Sequence, residues 1–313
     1  MSLPSVDVIV PTRNSARTLE ACLAAVGGQA YDGKISLLVV DGGSTDFTVE
    51  IARRHGATVL VRPGQYGTGL NGARHLGETV SRSELVWNLD SDNIPTQNTT
   101  LRSLAEILVE HPEVQFSIPF LEVDPSSHPL NQWISEFDQY WISRLFRRGT
   151  IHQGTSIVDD VDWGLPNATL IRRSALQTAG GYDSDVRLLW RLRRLRLSTG
   201  AVVSGAAIHH TQLTSTRDYY RKIVNRLRRF SQSKPEELSE HFVDFPPPRD
   251  LSAHLILSLT LSMVSIPFIS IGTFVVHRRA YSLWGLVQSQ LLAAATVSAI
   301  MPHPGDFLRV FKE

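Results

Sequence analysis

Near the start of the chain, apolar strand-like runs repeatedly break off at polar tips, and one of them breaks off at an aspartate pair. The runs are VDVIVPTRN, breaking at Pro11 to Asn14, ISLLVVDGGSTD, breaking at Asp41 to Asp46, and LVWNLDSDN, where Asp90 and Asp92 close Leu85-Val86-Trp87-Asn88-Leu89. Helix-like segments fall between and beside them, at Ala16 to Val26, Phe47 to His55 and Gly72 to Val80. That alternation predicts βαβ units and an α/β domain built on a parallel sheet. Ser44 or Thr45 is placed to cap the second helix. Leu101 to His111 predicts another helix and Val114 to Phe120 another strand, so the sheet extends past the aspartate pair. In such a sheet ligands collect outside the carboxyl ends of the strands, which brings Asp41, Asp90 and Asp92 to one crevice.

Two carboxylates one residue apart at a strand end can hold Mg²⁺ or Mn²⁺ through oxygen while phosphate oxygens complete the shell. An Asp-x-Asp is also ordinary turn chemistry. Its place after a buried-looking strand, beside the other strand tips, marks a site for a metal-bound diphosphate. Asp92 is the better metal ligand, with Asp90 supporting the metal or touching a ribose. Cys22 is the single cysteine of the 313 residues, which excludes an intrachain disulfide and a multi-cysteine zinc site. Its helical spacing with Leu19, Leu23 and Val26 assigns it to the core. With 31 Lys and Arg against 30 Asp and Glu, bulk charge gives no preference for nucleic acid.

The C-terminal part has a different character. From Leu251 to Val276 no side chain is acidic or basic except His254, and Tyr281 to Met301 is again uncharged, weakened by Gln288 and Gln290. Each is long enough for a hydrocarbon core that needs about 20 residues, so a pair of transmembrane helices is expected, with a pair of buried core helices or a re-entrant or interfacial arrangement as the alternatives. Against a simple hairpin, Arg278 and Arg279 would lie on the far side, contrary to the positive-inside tendency. Upstream, Trp133, Phe137, Trp141 and Leu145 recur at helical spacing between Asn131 and Arg148, suiting an amphipathic interface helix or a stripe packed in the core. The basic stretch Thr216 to Ser233 stands before Pro246-Pro247-Pro248 and would favour an anionic leaflet. These features divide the chain into a first domain at 1–230, a linker at 231–250, a transmembrane hairpin at 251–301 and a tail at 302–313. The N-terminus lacks a basic-then-apolar leader, so the first domain is expected on the cytoplasmic face of the cell membrane.

VDVIVPTRN, VVDGGSTDFT, GLNGARHLG and LVWNLDSDN, in this order and spacing, resemble the nucleotide-sugar domain of family 2 inverting glycosyltransferases with the Rossmann-like GT-A fold. The resemblance covers about residues 5–230. It implies that Pro11, Thr12, Arg13, Asn14 and Asp41 hold the nucleobase and ribose, that Arg74 approaches the diphosphate, and that Asp92 binds the metal. His75 stands where the family often has Asn, and turn capping accounts for Asp46. Further on, WGLPNATLIRRSALQTAGGYDSDVRLLWRLRRL is similar to the acceptor-side segment, where a Gly-Gly-aromatic-Asp turn precedes a Glu-Asp pair whose aspartate is the base. Here the pair reads Ser184-Asp185, so the base role passes to Asp185 alone; an N-terminal helix aspartate favoured by the dipole is the plainer reading. AVVSGAAIHH ends in His209 and His210, and a histidine in this region of the family can complete the metal site. NRLRRF is a loose form of the Gln-x-x-Arg-Trp motif of processive members, without its Gln or Trp.

The expected activity is metal-dependent inverting transfer from a nucleotide sugar, GDP-mannose before a UDP-sugar, to a lipid-linked dolichol or polyprenol saccharide. GDP-mannose and dolichol follow from resemblance to membrane-bound mannosyltransferases of N-glycan assembly. A dolichyl-phosphate sugar synthase differs only in its acceptor. A lipid phosphate is already anionic and needs no base, whereas a sugar hydroxyl does. A non-catalytic nucleotide-binding membrane scaffold is a rival of another class, opposed by the intact aspartate pair. A nucleotidyltransferase would carry a glycine-rich phosphate loop that PTRNSART lacks.

Overall fold

A computed structural model of the chain describes residues 2–61, 69–162, 168–183, 185–211, 215–217, 219–221, 266–268, 270–271, 285–288 and 290. The chain divides into two compact units, one of Met1–Val123 with Ser135–Gln212 and one of Asp124–Ile134 with Leu213–Glu313.

The first unit opens with β1 (Val6–Thr12), α1 (Ala16–Gly27), β2 (Ile35–Asp41), α2 (Thr48–Arg54), β3 (Thr58–Val61), α3 (Gly69–Val80) and β4 (Leu85–Asn88). There follow β5 (Asn93–Pro95), α4 (Thr100–Glu110), β6 (Phe116–Glu122), α5 (Pro129–Phe146), whose residues 129–134 are counted in the second unit, β7 (Thr150–His152) and β8 (Thr155–Val158). The series ends with β9 (Leu170–Arg172), α6 (Arg173–Thr178), α7 (Asp185–Arg194) and β10 (Gly200–His210). Among the described residues the strands form one sheet in the order β3-β2-β1-β4-β9-β6-β10-β8-β7, with β5 paired to β10 off that path.

The expected βαβ units are there: β3, β2, β1 and β4 run parallel. Every residue of β1 is buried, the mark of a strand covered on both faces. After β1 the chain builds outward through β2 and β3, then returns to place β4 on the other flank of β1. That reversal opens a crevice at the carboxyl ends of β1 and β4. Cys22 is fully buried together with Leu19, Leu23 and Val26, as its spacing requires.

Two local expectations are corrected. Neither Ser44 nor Thr45 caps α2. Its N-cap position is Phe47, and the Thr48 N–H donates to the Asp46 carboxylate instead, at 3.1 Å. The Ser44 hydroxyl is drawn to Asp41 and the Thr45 N–H to Asn14, because both residues lie in the β2–α2 loop, which bonds to the tips of β1 and β2. The third helix starts at Gly69, earlier than the Gly72 expected from periodicity.

In the second unit the Trp133 indole N–H donates to Gln288 Oε1 at 2.6 Å, and the Gln288 amide donates to the Tyr219 hydroxyl at 3.1 Å. A Cβ on Gly285 would come within 2.7 Å of the Trp133 ring and 2.8 Å of Ser270, so only a residue without a side chain permits this approach. Of the aromatic stripe, Trp133 is buried in this unit and Leu145 in the first, while the side chains of Phe137 and Trp141 lie outside the described residues. The apolar segments 251–276 and 281–301 and the basic stretch 216–233 also lie largely outside them. Among the described residues no helix is long and apolar enough to cross a membrane.

Candidate active site at the carboxyl edge of the sheet

The tips of β1 and β2 are joined by their own polar groups. Thr12 is buried, and its hydroxyl donates to Asp41 Oδ1 at 3.3 Å. The Asp41 carboxylate turns back on its loop and accepts the N–H groups of Gly43 and Ser44, each at 2.9 Å. Gly43 there has φ of 86°, a conformation glycine adopts without cost. Asn14 has φ of 52°, in the left-handed region that Asn tolerates better than most residues. Its Oδ1 accepts the Thr45 N–H at 2.8 Å, and its own N–H donates to the Ser44 hydroxyl at 2.8 Å. Thr12 and Asp41 therefore shape the rim through contact with each other, and Asn14 through Ser44 and Thr45. Pro11 is buried within β1, and Arg13 is exposed beside Gly42.

At the tip of β4, Asp90 Oδ1 accepts a hydrogen bond from Arg74 Nη2 at 2.6 Å, with the arginine side chain 1% exposed. The other terminal nitrogen of Arg74 donates to the Tyr182 hydroxyl, and the guanidinium lies 5.2 Å from that ring's centroid. A buried guanidinium needs such partners to offset its lost hydration. Arg74, expected to approach a diphosphate, thus acts in this arrangement by holding Asp90. From below, the buried Cys22 thiol lies 3.7 Å from the Asp90 carbonyl oxygen. Burial pushes that thiol's pKa up, with the nearby Asp92 and Asp90 adding to the shift, so it is an inert support.

The antiparallel pairing of β5 with β10 sets His210 opposite Asn93 and His209 opposite Ile94. Successive side chains on a strand point to opposite faces, and the two histidines part accordingly. His210 Nε2 lies 3.5 Å from Asp92 Oδ1, whereas His209 Nε2 lies 3.8 Å from Glu122. The Asp92 carbonyl oxygen accepts the Thr211 N–H at 2.9 Å, which fixes the aspartate loop to the end of β10. Burial disfavours the charged His210 imidazole, but Asp92, Asp90 and Asp138 outweigh it and raise its pKa above the ordinary histidine value. Asp138 is raised in turn by its own burial, with His210 pulling the other way.

That donor set, carboxylate oxygen beside imidazole nitrogen in a negative field, fits Mn²⁺ or Mg²⁺ whose other ligands come from a phosphate or water. Among the described residues no three or more His, Cys, Asp or Glu side chains form a group that would hold a metal on its own. Asp185 stands at the first position of α7, and its side chain lies outside the described residues. Asp138, within the aromatic helix, and Glu78, one helical turn after Arg74, sit in no motif that marks them in the sequence. Tyr182 was visible as the aromatic of the Gly-Gly-aromatic-Asp turn, but its contact with Arg74 spans more than a hundred residues of chain.

The family model described as glycosyl transferase family 2 matches residues 7–178. The glycosyltransferase AglE of Haloferax volcanii is 37% identical over 112 residues, covering 34% of this chain and 36% of that protein. This chain's match thus spans about a third of that relative's length. A glycosyltransferase of PGL/p-HBAD biosynthesis from Mycobacterium bovis is 27% identical over 193 residues, 60% of this chain and 67% of that one. The mannosyltransferase PcManGT from Pyrobaculum calidifontis, solved in complex with GDP-Man and Mn²⁺, superimposes with a TM-score of 0.55 at 17% identity, covering 97% of this chain and 89% of that one. At that identity the likeness is one of fold.

Proposed function

We propose, since this chain belongs to glycosyl transferase family 2, that it transfers a hexosyl group from a nucleotide sugar to a lipid-linked saccharide with inversion at the anomeric carbon. The observation that carries this reading is the meeting of Asp92 with His210, 3.5 Å apart, beside the Arg74-held Asp90. The rim of Pro11 to Asn14 and Asp41 would take the nucleobase and ribose. Asp92 and His210 would hold the divalent cation, and Asp90 keeps a fixed negative charge beside them. A bound Mn²⁺ or Mg²⁺ would supply electrophilic stabilisation of the charge that grows on the departing diphosphate. Asp185 would take the proton of an acceptor hydroxyl, the step that a sugar acceptor requires. Attack from the face opposite the leaving group inverts the configuration.

GDP-mannose is the favoured donor, by resemblance of the sequence to mannosyltransferases of lipid-linked glycan assembly. The apolar segments at 251–276 and 281–301 and the basic stretch before them support a lipid acceptor and attachment to the cell membrane, with the sheet on the cytoplasmic face.

The test incubates the full chain with Mn²⁺ or Mg²⁺, a panel containing GDP-mannose and UDP-sugars, and a lipid extract, and identifies the labelled lipid by mass spectrometry. Cation-dependent transfer from one donor is expected. Sugar turnover that survives the double Asp90→Asn, Asp92→Asn replacement under chelator sinks the proposal. Full activity of Asp185→Asn would assign a lipid phosphate acceptor in place of a hydroxyl. No release of nucleoside diphosphate from any donor would leave a nucleotide-binding scaffold.

A further inference from the structure

The turn leading into α7 is gripped by groups that the mechanism above does not use. Arg191, on α7, donates to the carbonyl of Ala179 at 2.6 Å, to the carbonyl of Gly181, and to Asp183 at 2.7 Å. From the other side, Glu78 on α3 accepts the Tyr182 N–H at 2.6 Å. Gly180 and Gly181 have φ of 82° and 83°, so the turn is a left-handed corner closed to most side chains. A Cβ on Gly181 would also come within 3.2 Å of the His75 ring.

Arg74 and Glu78 are four residues apart on α3, and such residues share a helix face. Arg74 meets the strand tip through Asp90 and the turn through the Tyr182 hydroxyl, while Glu78 takes the Tyr182 backbone. One face of α3 therefore measures the distance between the aspartate tip and the start of α7.

We propose that Glu78 is a positioning residue: its hydrogen bond to the Tyr182 N–H fixes where α7 begins, and with it Asp185, relative to Asp90 and Asp92. This rests on the reading of Asp185 as the acceptor base. The chemistry of the position suits a fixed brace. Burial, opposed by the Tyr182 N–H and by Arg74, Arg191 and Asn88, pushes the Glu78 carboxyl up to about 8. A neutral carboxyl still accepts the Tyr182 N–H through Oε2, so Gln can replace it at neutral pH.

The test compares Glu78→Ala and Glu78→Gln with the wild-type full chain. Hydrogen exchange is followed in the peptide covering 180–192, without any ligand. Loss of the brace in Glu78→Ala is expected to speed exchange there about tenfold while β1 and α1 keep their protection, and Glu78→Gln should restore it. With the donor the wild type uses, Glu78→Ala should lower kcat for transfer about 10- to 100-fold, leaving Mn²⁺-nucleotide affinity and acceptor-free donor hydrolysis within about twofold. Equal exchange in Glu78→Ala and wild type overturns the proposal, as does a parallel fall of transfer and nucleotide affinity. If the wild type turns over no donor, the reading of function fails and the exchange comparison alone decides whether Glu78 holds the turn.

Discussion

At the scale of single residues, Asp7 shows how a buried carboxylate behind the site is held. Asp7 is 5% exposed on β1, and its carboxylate accepts the hydroxyls of Ser81 and Ser83 and the N–H groups of Arg82 and Ser83, in the segment that follows α3. Burial alone would raise its pKa, yet these four donors hold it below the ordinary value of 3.8. A carboxyl held low contributes stability that is complete above the unfolded value and fades as pH falls through the lower folded one. Asp7→Asn is therefore expected to cost about 1–3 kcal/mol in urea unfolding at neutral pH. That cost should shrink as pH falls below about 4 and on through the lower folded value, beneath which both proteins are neutral at this position. The two histidines give a second test. His210→Ala should weaken Mn²⁺ binding in the presence of a nucleoside diphosphate at least about tenfold by electron paramagnetic resonance, and His209→Ala should leave it unchanged. The adjacent pair was visible in the sequence, but the choice between them was not. It depends on the register of β5 against β10, set by pairing across more than a hundred residues of chain.

At the scale of elements, α3 is the part whose placement matters most, and its closest approach is at Gly77. A Cβ there would lie 2.5 Å from Ile9 Cγ2 on β1, so the helix backbone rests directly on the strand. Alanine adds about 1 kcal/mol of intrinsic helix preference over glycine, but overpacking of a tight interface costs about 1–3 kcal/mol. Gly77→Ala should thus lower the Tm and weaken the Arg74–Asp90 contact, seen as poorer Mn²⁺-nucleotide affinity. A variant with unchanged Tm and affinity would show that α3 has slack. The same helix illustrates what was legible: apolar spacing announced α1, α2, α3 and α4 because each buries one stripe against the sheet. The three residues of β9 carry no such period. Leu170–Arg172 is a strand only because β4 and β6 leave a gap that antiparallel pairing with both fills. The hairpin of β7 and β8 was equally silent, since its turn uses Gln153 at φ 44° and Gly154 at φ 83° rather than a strong turn dipeptide.

At the scale of the whole molecule, a net charge of +1 gives no general pull towards an anionic bilayer, so the proposed attachment to a membrane would rest on local features. Two are available, the basic stretch at 216–233 and the apolar segments at 251–276 and 281–301, and they bind by different physics. Basic side chains near an anionic surface contribute about 1 kcal/mol each and are screened over a Debye length of about 8 Å at physiological salt, so salt releases a protein held by them alone. Apolar segments of about 20 residues gain from hydrocarbon burial, on which salt has little hold. Inside the second segment, Gln288 is already bonded to Trp133 and Tyr219, which offsets part of the cost of carrying an amide into an apolar setting. Membranes from cells making the full chain should therefore retain it through molar salt and alkaline carbonate and release it only to detergent. Gln288→Leu should be retained as well, since it removes a polar group from the segment. Release by salt alone would assign attachment to the basic stretch and remove the support that the apolar segments give to a lipid acceptor.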